Sequence, residues 1–197
     1  MPLLGLLALC LLSPPVGAQY GGGTGGPGDP YLIYTAEQMN TIGDNPNDWD
    51  KHFKLMADID LSVYTGSDFR IIGTGDKSAF RGVFDGNNHK ISRFTSTKRE
   101  YTGLFGYVKQ PAAVIKNLGL IAPDVMAEGA SNVGSLVGYL DEGAIVNCYA
   151  AGGSISGKKS VGGMVGYNKA GAITGCYVTS RVSGDEEIGG LVGYLRG

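Results

Sequence analysis

The sequence predicts an all-β solenoid with one short helix near its N-terminus. A five-residue element recurs as GLFGY at 103–107, SLVGY at 135–139, GMVGY at 163–167 and GLVGY at 190–194, so that Tyr107, Tyr139, Tyr167 and Tyr194 are spaced by 32, 28 and 27 residues. A second apolar element follows each of the first three: VIKNL at 114–118, AIVNCY at 144–149 and AITGCY at 172–177. A third, shorter one appears as GSISG at 153–157 and SRVSG at 180–184. Three strand-like pieces per period of under 30 residues, divided by Gly and polar turns, are the mark of stacked coils.

Composition agrees. Gly supplies 34 of 197 residues, well above the usual share of about 7%. It does not recur every third position, which excludes collagen. With 43% hydrophobic residues and a net charge of −2, the chain can build a core and is not disordered by composition. Lys plus Arg (16) falls below Asp plus Glu (18), so no basic patch for nucleic acid is expected.

Taken in order, residues 1–18 (MPLLGLLALCLLSPPVGA) read as a signal peptide. The apolar run at 3–12 is too short to span a bilayer, Pro14 and Pro15 break it, and Val16 and Ala18 are the small residues expected before a cleavage site. The segment departs from the pattern in having no Lys or Arg, and Cys10 follows Leu9 rather than a small residue, so a lipid anchor is not read there. No later apolar run has membrane length, and no span is expected in the exported chain. Residues 19–29 (QYGGGTGGPGD) read as a flexible linker.

Residues 30–34 form a first strand. Thr35 and Gln38 have capping-box spacing, and Ala36, Met39 and Ile42 share a helical face, which predicts a helix over 36–42 ended by Gly43. Residues 52–61 read as a strand with a bend, followed by strands at 69–72, 80–84 and 90–94, with a turn at 85–88 (DGNN). From 102 onward the repeats take over. One period cannot bury its own apolar face, whereas stacking pairs each strand with its copy at about 4.8 Å per layer. Leu104, Leu136, Met164 and Leu191 then form one column, and Ile115, Ile145 and Ile173 another. Which alternate positions face inward is not fixed by the pattern, and the three-residue step from Ile173 to Cys176 suggests a bulge.

VGGMVGY, IGGLVGY, AITGCY and RVSG resemble the GLUG repeat of bacterial extracellular proteins. PYLIYTAEQMNTIG, FKLMADIDLS, RIIGTG and FRGVFDGNNHKIS are similar to the N-terminal region of immunoglobulin A peptidase-like and adhesin-like chains that carry it. The resemblance covers nearly all of 29–197 and implies a right-handed parallel β-helix, secreted or held at the cell surface. It divides the chain into an N-terminal cap with first coils (30–101) and GLUG-type repeats (102–197), the last one incomplete. Ser135 replaces the second Gly of the motif, and Asn88 stands where Gly would complete FDGNGH; Asn tolerates positive φ, so that turn can survive.

Three sets of residues are singled out. Tyr107, Tyr139, Tyr167 and Tyr194 form an aromatic ladder, as do Tyr149 and Tyr177; such a strip stacks on sugar rings if exposed, or only shields the coil corners. Cys148 and Cys176 occupy equivalent positions, within reach of a disulfide or stacked as free thiols, and neither has a His or basic partner in the repeat. Asp58 and Asp60 are paired carboxylates that read either as a calcium or glycosidase pair or as acceptors in a cap turn. There is no HExxH, GxSxG elbow or phosphate loop, so no catalytic residue, metal or cofactor is assigned. The expectation is a non-catalytic structural or adhesive module, with a carbohydrate-binding or carbohydrate-active β-helix, or a fragment of a larger surface protein, as the alternatives. Expected partners are surface polysaccharide or other surface proteins, and the open coil ending at Gly197 is expected to promote self-association.

Overall fold

In a computed structural model, residues 19–98 and 100–196 are described; the expected signal peptide and Cys10 lie outside them. The chain winds as a parallel β-solenoid of about five turns whose strands stack into five sheets.

The N-terminal end is closed by local structure. Strand β1 (Tyr31–Ile33) leads into helix α1 (Ala36–Asp44). The Thr35 hydroxyl accepts the Gln38 N–H, and the Gln38 side chain accepts the Tyr34 N–H at 2.7 Å. Met39 and Ile42 point into the interior, fully buried. The helix runs past Gly43, which does not end it: a Cβ there would lie 2.0 Å from the Arg70 carbonyl oxygen, so this glycine serves close approach. The Gly-rich 19–29 stretch, expected as a tether, folds onto the first coil. Gly21 N–H donates to Leu32 O and Leu32 N–H donates to Gly22 O, while the buried Tyr20 ring packs 4.5 Å from Tyr31.

Strands β2 (His52–Leu55) and β3 (Ile59–Asp60) belong to different sheets, so the single bent strand expected over 52–61 is a corner. The strand expected at 69–72 is only a parallel bridge from Ile72 to Phe105, with Phe69 filling the core. The next turn comprises β4 (Val83–Asp85), β5 (Lys90–Ser92), β6 (Thr95–Ser96), β7 (Glu100–Thr102) and β8 (Phe105–Val108). It is followed by β9 (Val114–Lys116), β10 (Gly119–Ile121), β11 (Asp124–Met126), β12 (Ser131–Val133) and β13 (Val137–Leu140). The third comprises β14 (Ala144–Val146), β15 (Tyr149–Ala151), β16 (Ser154–Ser156), β17 (Lys159–Gly162) and β18 (Val165–Asn168). The last comprises β19 (Ala172–Thr174), β20 (Tyr177–Val178), β21 (Arg181–Ser183), β22 (Glu186–Gly189) and β23 (Val192–Leu195). Each of these turns gives one strand to every sheet, five per turn where the repeat pattern showed three.

In most triplets the central residue faces inward. Phe53, Phe84, Ile115, Ile145 and Ile173 stand in one register column, and Ile59, Ile91, Leu120, Ala150 and Val178 in the next. Aromatic side chains concentrate in the early turns, with Phe53, Phe80, Phe84, Phe94 and Phe105 in the core, whereas Ile, Leu, Val and Ala dominate the later ones. Leu104, Leu136 and Met164 are buried, with Leu191 packed against them, as the expected column requires.

Corners are made by single left-handed residues. Asn117 (φ 52°), Asn147 (φ 52°) and Gly175 (φ 65°) turn the chain from the first sheet to the second. The step from Ile173 to Cys176 is therefore a corner rather than a bulge. Asn88 holds φ 63° beside Asn87 at 51°, so the DGNN turn forms without its second Gly.

Candidate functional site

The repeat motif describes one corner of the coil. In β12, Ser131 pairs with Lys159 and Val133 with Val161, while Asn132 between them sits at φ 59°; Ser160 and Glu187 do the same one and two turns later. This sharp bend brings the next strand against the backbone of the turn before it. A Cβ on Gly166 would lie 2.3 Å from Val133 N and 2.4 Å from Asn132 C, and one on Gly193 would lie 2.4 Å from Val161 N. The glycine of the xVGY element is thus required by backbone crossing. Ser135, the departure from the motif, is fully buried and donates its hydroxyl to Gly163 O at 2.5 Å.

The structure brings the predicted tyrosines together. Ring centroids of Tyr107 and Tyr139 are 4.6 Å apart at an interplanar angle of 11°, Tyr139 and Tyr167 4.6 Å at 4°, and Tyr167 and Tyr194 4.9 Å at 27°. Tyr149 and Tyr177 stack at 5.2 Å and 4°. Tyr101, which the repeat spacing does not single out, closes the column edge-on against Tyr107 and Tyr139 at 5.3 and 5.8 Å. Rings stacked this way spend their faces on each other. Inner members offer solvent only their rims, and a free face remains at the outer ends, on Tyr177 and Tyr194, which are 55% and 36% exposed. Burial first, then the neighbouring Asp141, pushes the Tyr107 phenol well above its ordinary range.

One residue past each VGY strand runs a charged column that sequence reasoning missed. Lys109, Asp141, Lys169 and Arg196 follow the paired residues Val108, Leu140, Asn168 and Leu195. The Asp141 carboxylate is 4% exposed and lies 2.6 Å from Lys169 Nζ and 3.6 Å from Lys109 Nζ, and it accepts from the Tyr107 hydroxyl at 3.4 Å. Lys109 also pairs with Asp76, extending an alternation of signs along the solenoid axis. The signal was available: Lys109, Asp141 and Lys169 each stand two residues after a repeat tyrosine.

Asp58 and Asp60 do not converge on a common site. Asp58 accepts the Lys90 N–H and contacts His89 Nδ1, both at 3.0 Å; those bonds hold its carboxyl below the usual range. Asp60 binds the Arg93 guanidinium through both oxygens and accepts the Ser62 N–H, with the same effect. Both carboxylates brace turns. Among the described residues no cluster of three or more His, Cys, Asp or Glu is arranged to hold a metal. Cys148 and Cys176 are free thiols in register, the first buried and the second half-buried, and the Cys148 N–H donates to Cys176 Sγ at 3.4 Å. No helix among the described residues is long and apolar enough to cross a membrane.

Comparison with known proteins agrees with this geometry. Residues 129–156 match the family model of the GLUG motif, and the chain carries that motif. The matched span runs from the Gly129 turn through β12 and β13 to the end of β16, one full turn of the solenoid. A protein of Evansella cellulosilytica provisionally named a Gly-rich membrane protein is 35% identical over 125 residues, covering 60% of this chain and 14% of its own length. Halomucin of Haloquadratum walsbyi is 32% identical over 137 residues, covering 66% of this chain and 2% of its own length. The chain thus spans a small part of the curated relatives it matches. A crystal structure of a provisionally named immunoglobulin A1 protease from Bacteroides ovatus superposes with a TM-score of 0.66 at 24% identity, over 91% of this chain and 66% of that one. At that identity the likeness establishes the fold.

Proposed function

We propose that this chain is a non-catalytic, extracellular structural module that displays columns of side chains on a rigid surface at the cell exterior. The observation that carries the reading is the in-register stacking of equivalent residues over successive turns, seen most directly in the tyrosine column with its spacing of 4.6 to 4.9 Å. Parallel coils held this way resist bending and place outward residues at fixed intervals. The GLUG motif and the names of the curated relatives, a membrane protein and a halomucin, support an exterior location. An adhesive role fits the same geometry, with surface polysaccharide or another surface protein as partner.

The test is location and contact together. Protease added to intact cells should remove the protein, and beads coated with the purified chain should bind whole cells or extracted surface polysaccharide. Protein that survives in the cytosolic fraction of lysed cells, untouched beforehand, would overturn the exterior placement. Beads that bind nothing would remove the adhesive role and leave the structural one. Cleavage of any polysaccharide by the chain would refute the non-catalytic reading. If binding instead depends on Tyr177 and Tyr194, the two rings with a free face, a carbohydrate-binding role is the better description.

A further inference from the structure

One corner of the solenoid departs from the repeat. Five residues, 109–113, connect β8 to β9, whereas three connect β13 to β14 (141–143) and β18 to β19 (169–171). The longer connection is strained. Gln110 holds φ 129°, a backbone region that residues with a side chain rarely adopt, and Pro111 restricts it further. Where the 141–143 connection gives its left-handed position to Gly143 (φ 97°), this one gives it to a glutamine. The Gln110 carbonyl accepts the Ala113 N–H at 3.0 Å, which closes the turn, and the side chain is exposed. Glycine would relieve that backbone, so the amide side chain is what the strain retains.

Gln110 lines an open cleft of about 410 Å³ where the chain passes from the fifth sheet to the first, a volume in the range of small-ligand sites. Pro46, Asn47, Trp49, Asp50 and Arg81 complete the lining. Backbone hydrogen bonds fix its walls to one another: Arg81 N–H donates to Trp49 O at 2.7 Å, Lys109 N–H to Phe80 O at 3.0 Å and Val114 N–H to Gly82 O at 3.1 Å. The indole N–H of Trp49 donates to Ile42 O at 2.7 Å and holds the ring in place. Arg81 carries the uncommitted charge. Arg70 and Arg93 pair with Asp44 and Asp60. Among the described residues the Arg81 guanidinium pairs with no carboxylate; it reaches only the Asp76 and Lys77 carbonyls, both at 3.3 Å, and the Asp76 carboxylate is held by Lys109. Asp50 is exposed, with Lys51 Nζ 3.0 Å away.

We propose, resting on the adhesive reading above, that this cleft binds an acidic sugar residue of a surface polysaccharide, with Arg81 holding the sugar carboxylate. The set of donors and acceptors decides the class. A guanidinium grips a planar carboxylate through two parallel N–H bonds. Asp50 only accepts, so the ligand must bring donors of its own; a bare inorganic anion brings none and is repelled. The amides of Asn47 and Gln110 each donate and accept, which is what ring hydroxyls need. Pro46 and the Trp49 ring give an apolar contact for the C–H face of a sugar. A peptide end could meet Arg81 and Asp50 with its carboxylate and ammonium, but it would leave both amides unused. The strained backbone at Gln110 thus holds a hydrogen-bonding group at the cleft that a glycine cannot supply.

The probe is trigalacturonate, titrated into the folded full chain beside its uncharged methyl ester and the dipeptide glycylglycine. Trp49 is the single tryptophan of the chain, so its fluorescence reports this cleft, and calorimetry gives the affinity. Trigalacturonate should produce a saturable change, with the methyl ester and Arg81→Gln each roughly tenfold weaker or worse. Gln110→Gly should bind about threefold more weakly while its unfolding midpoint holds or rises; a purely structural Gln110 would move the midpoint alone. Circular dichroism establishes that each variant is folded, and the methyl ester comparison needs only the wild type. No response of Trp49 to trigalacturonate, an equal response to the ester, a response to glycylglycine alone, or a folded Arg81→Gln that binds as wild type would each overturn the assignment. Beads coated with Arg81→Gln that capture polysaccharide as well as wild type would overturn this cleft and keep the adhesive reading. Beads that capture nothing, while trigalacturonate binds wild type and not Arg81→Gln, would keep the cleft and remove the adhesive reading.

Discussion

Gly166→Ala and Gly190→Ala should have opposite consequences, although both glycines lie in a GG-x-V-G-Y element. At Gly166 the new Cβ would stand 2.3 Å from Val133 N and 2.4 Å from Asn132 C, and within 2.7 Å of Gly138 O. Real Cβ contacts stay above 3.0 Å, so β18 and the backbone at Asn132–Val133 must move apart by about 0.7 Å. Those groups are backbone, and no rotamer relieves the clash. Overpacking of this kind costs about 1–3 kcal/mol, against a gain of about 0.4–1 kcal/mol from restricting the unfolded chain. Gly190 has no positive φ and nothing within 4 Å of its would-be Cβ, so Ala there keeps only the gain. The two variants should differ by roughly 2 kcal/mol, which for a chain of this size is about 4–8 °C in Tm. Equilibrium urea denaturation followed by circular dichroism measures both. Equal midpoints, or a Gly166→Ala variant more stable than wild type, would show that the glycine is not required by backbone crossing.

Tyr139→Ala removes a ring stacked on both faces and should cost roughly 1–3 kcal/mol, with Tyr139→Phe close to wild type; denaturation midpoints of the pair separate stacking from hydroxyl chemistry. Asp141→Ala leaves Lys109, Lys169 and the Tyr107 hydroxyl without their shared buried acceptor and should lower stability by about 1–3 kcal/mol at low salt, read by the same unfolding assay. Asp58, Asp60, Asp76 and Asp85 all have carboxyls held below their ordinary values, for Asp85 against an opposing desolvation, by the Asn87 N–H, Asn117 and Lys116. Their contribution is present above about pH 4, the unfolded value, and is lost as pH falls through the lower folded values, so the midpoint should drop between pH 4 and pH 2. A midpoint unchanged over that range would refute the sign.

The turns were legible in the sequence where one residue type sits above itself. Ile115, Ile145 and Ile173 stack as the repeats require, because a large apolar residue at that point fills the interior in each turn, Phe53 and Phe84 doing so in the earlier ones. The tyrosine column was visible for the same reason. What the repeats concealed was strand number. The β12 and β17 strands carry Ser131, Asn132, Lys159 and Ser160, residues that read as turns, and their left-handed centres break the alternation by which strands are recognised. The Gly-rich start was misread for a related reason. Gly21 and Gly22 look like flexible linker, yet they pair with Leu32 because Tyr20 supplies an anchor that composition alone does not register. The charged column along Asp141 was hidden because Lys109, Asp141, Lys169 and Arg196 mix signs and residue types, so no single residue repeats there.

The motif residues are consumed by architecture. Gly138, Gly166 and Gly193 allow the backbone crossing, Val137, Val165 and Val192 pack the interior, and the tyrosines cover one another. A ligand would meet other positions, and these do not repeat. In the third sheet the paired outward residues are Thr95, Asp124, Ser154 and Arg181; in the fourth they are Glu100, Ser131, Lys159 and Glu186. Two proteins sharing every motif residue could therefore present unrelated surfaces, just as one fold hosts many functions. Exchanging the outward residues of one turn, for example Arg181 and Glu186 for glutamines, should leave the unfolding midpoint nearly unchanged, since the only ion pair lost among the described residues is the exposed one with Lys159, while altering what the coated beads capture. If stability collapses and capture is unaffected, the outward positions are part of the scaffold and specificity must lie in the longer connection between β3 and β4.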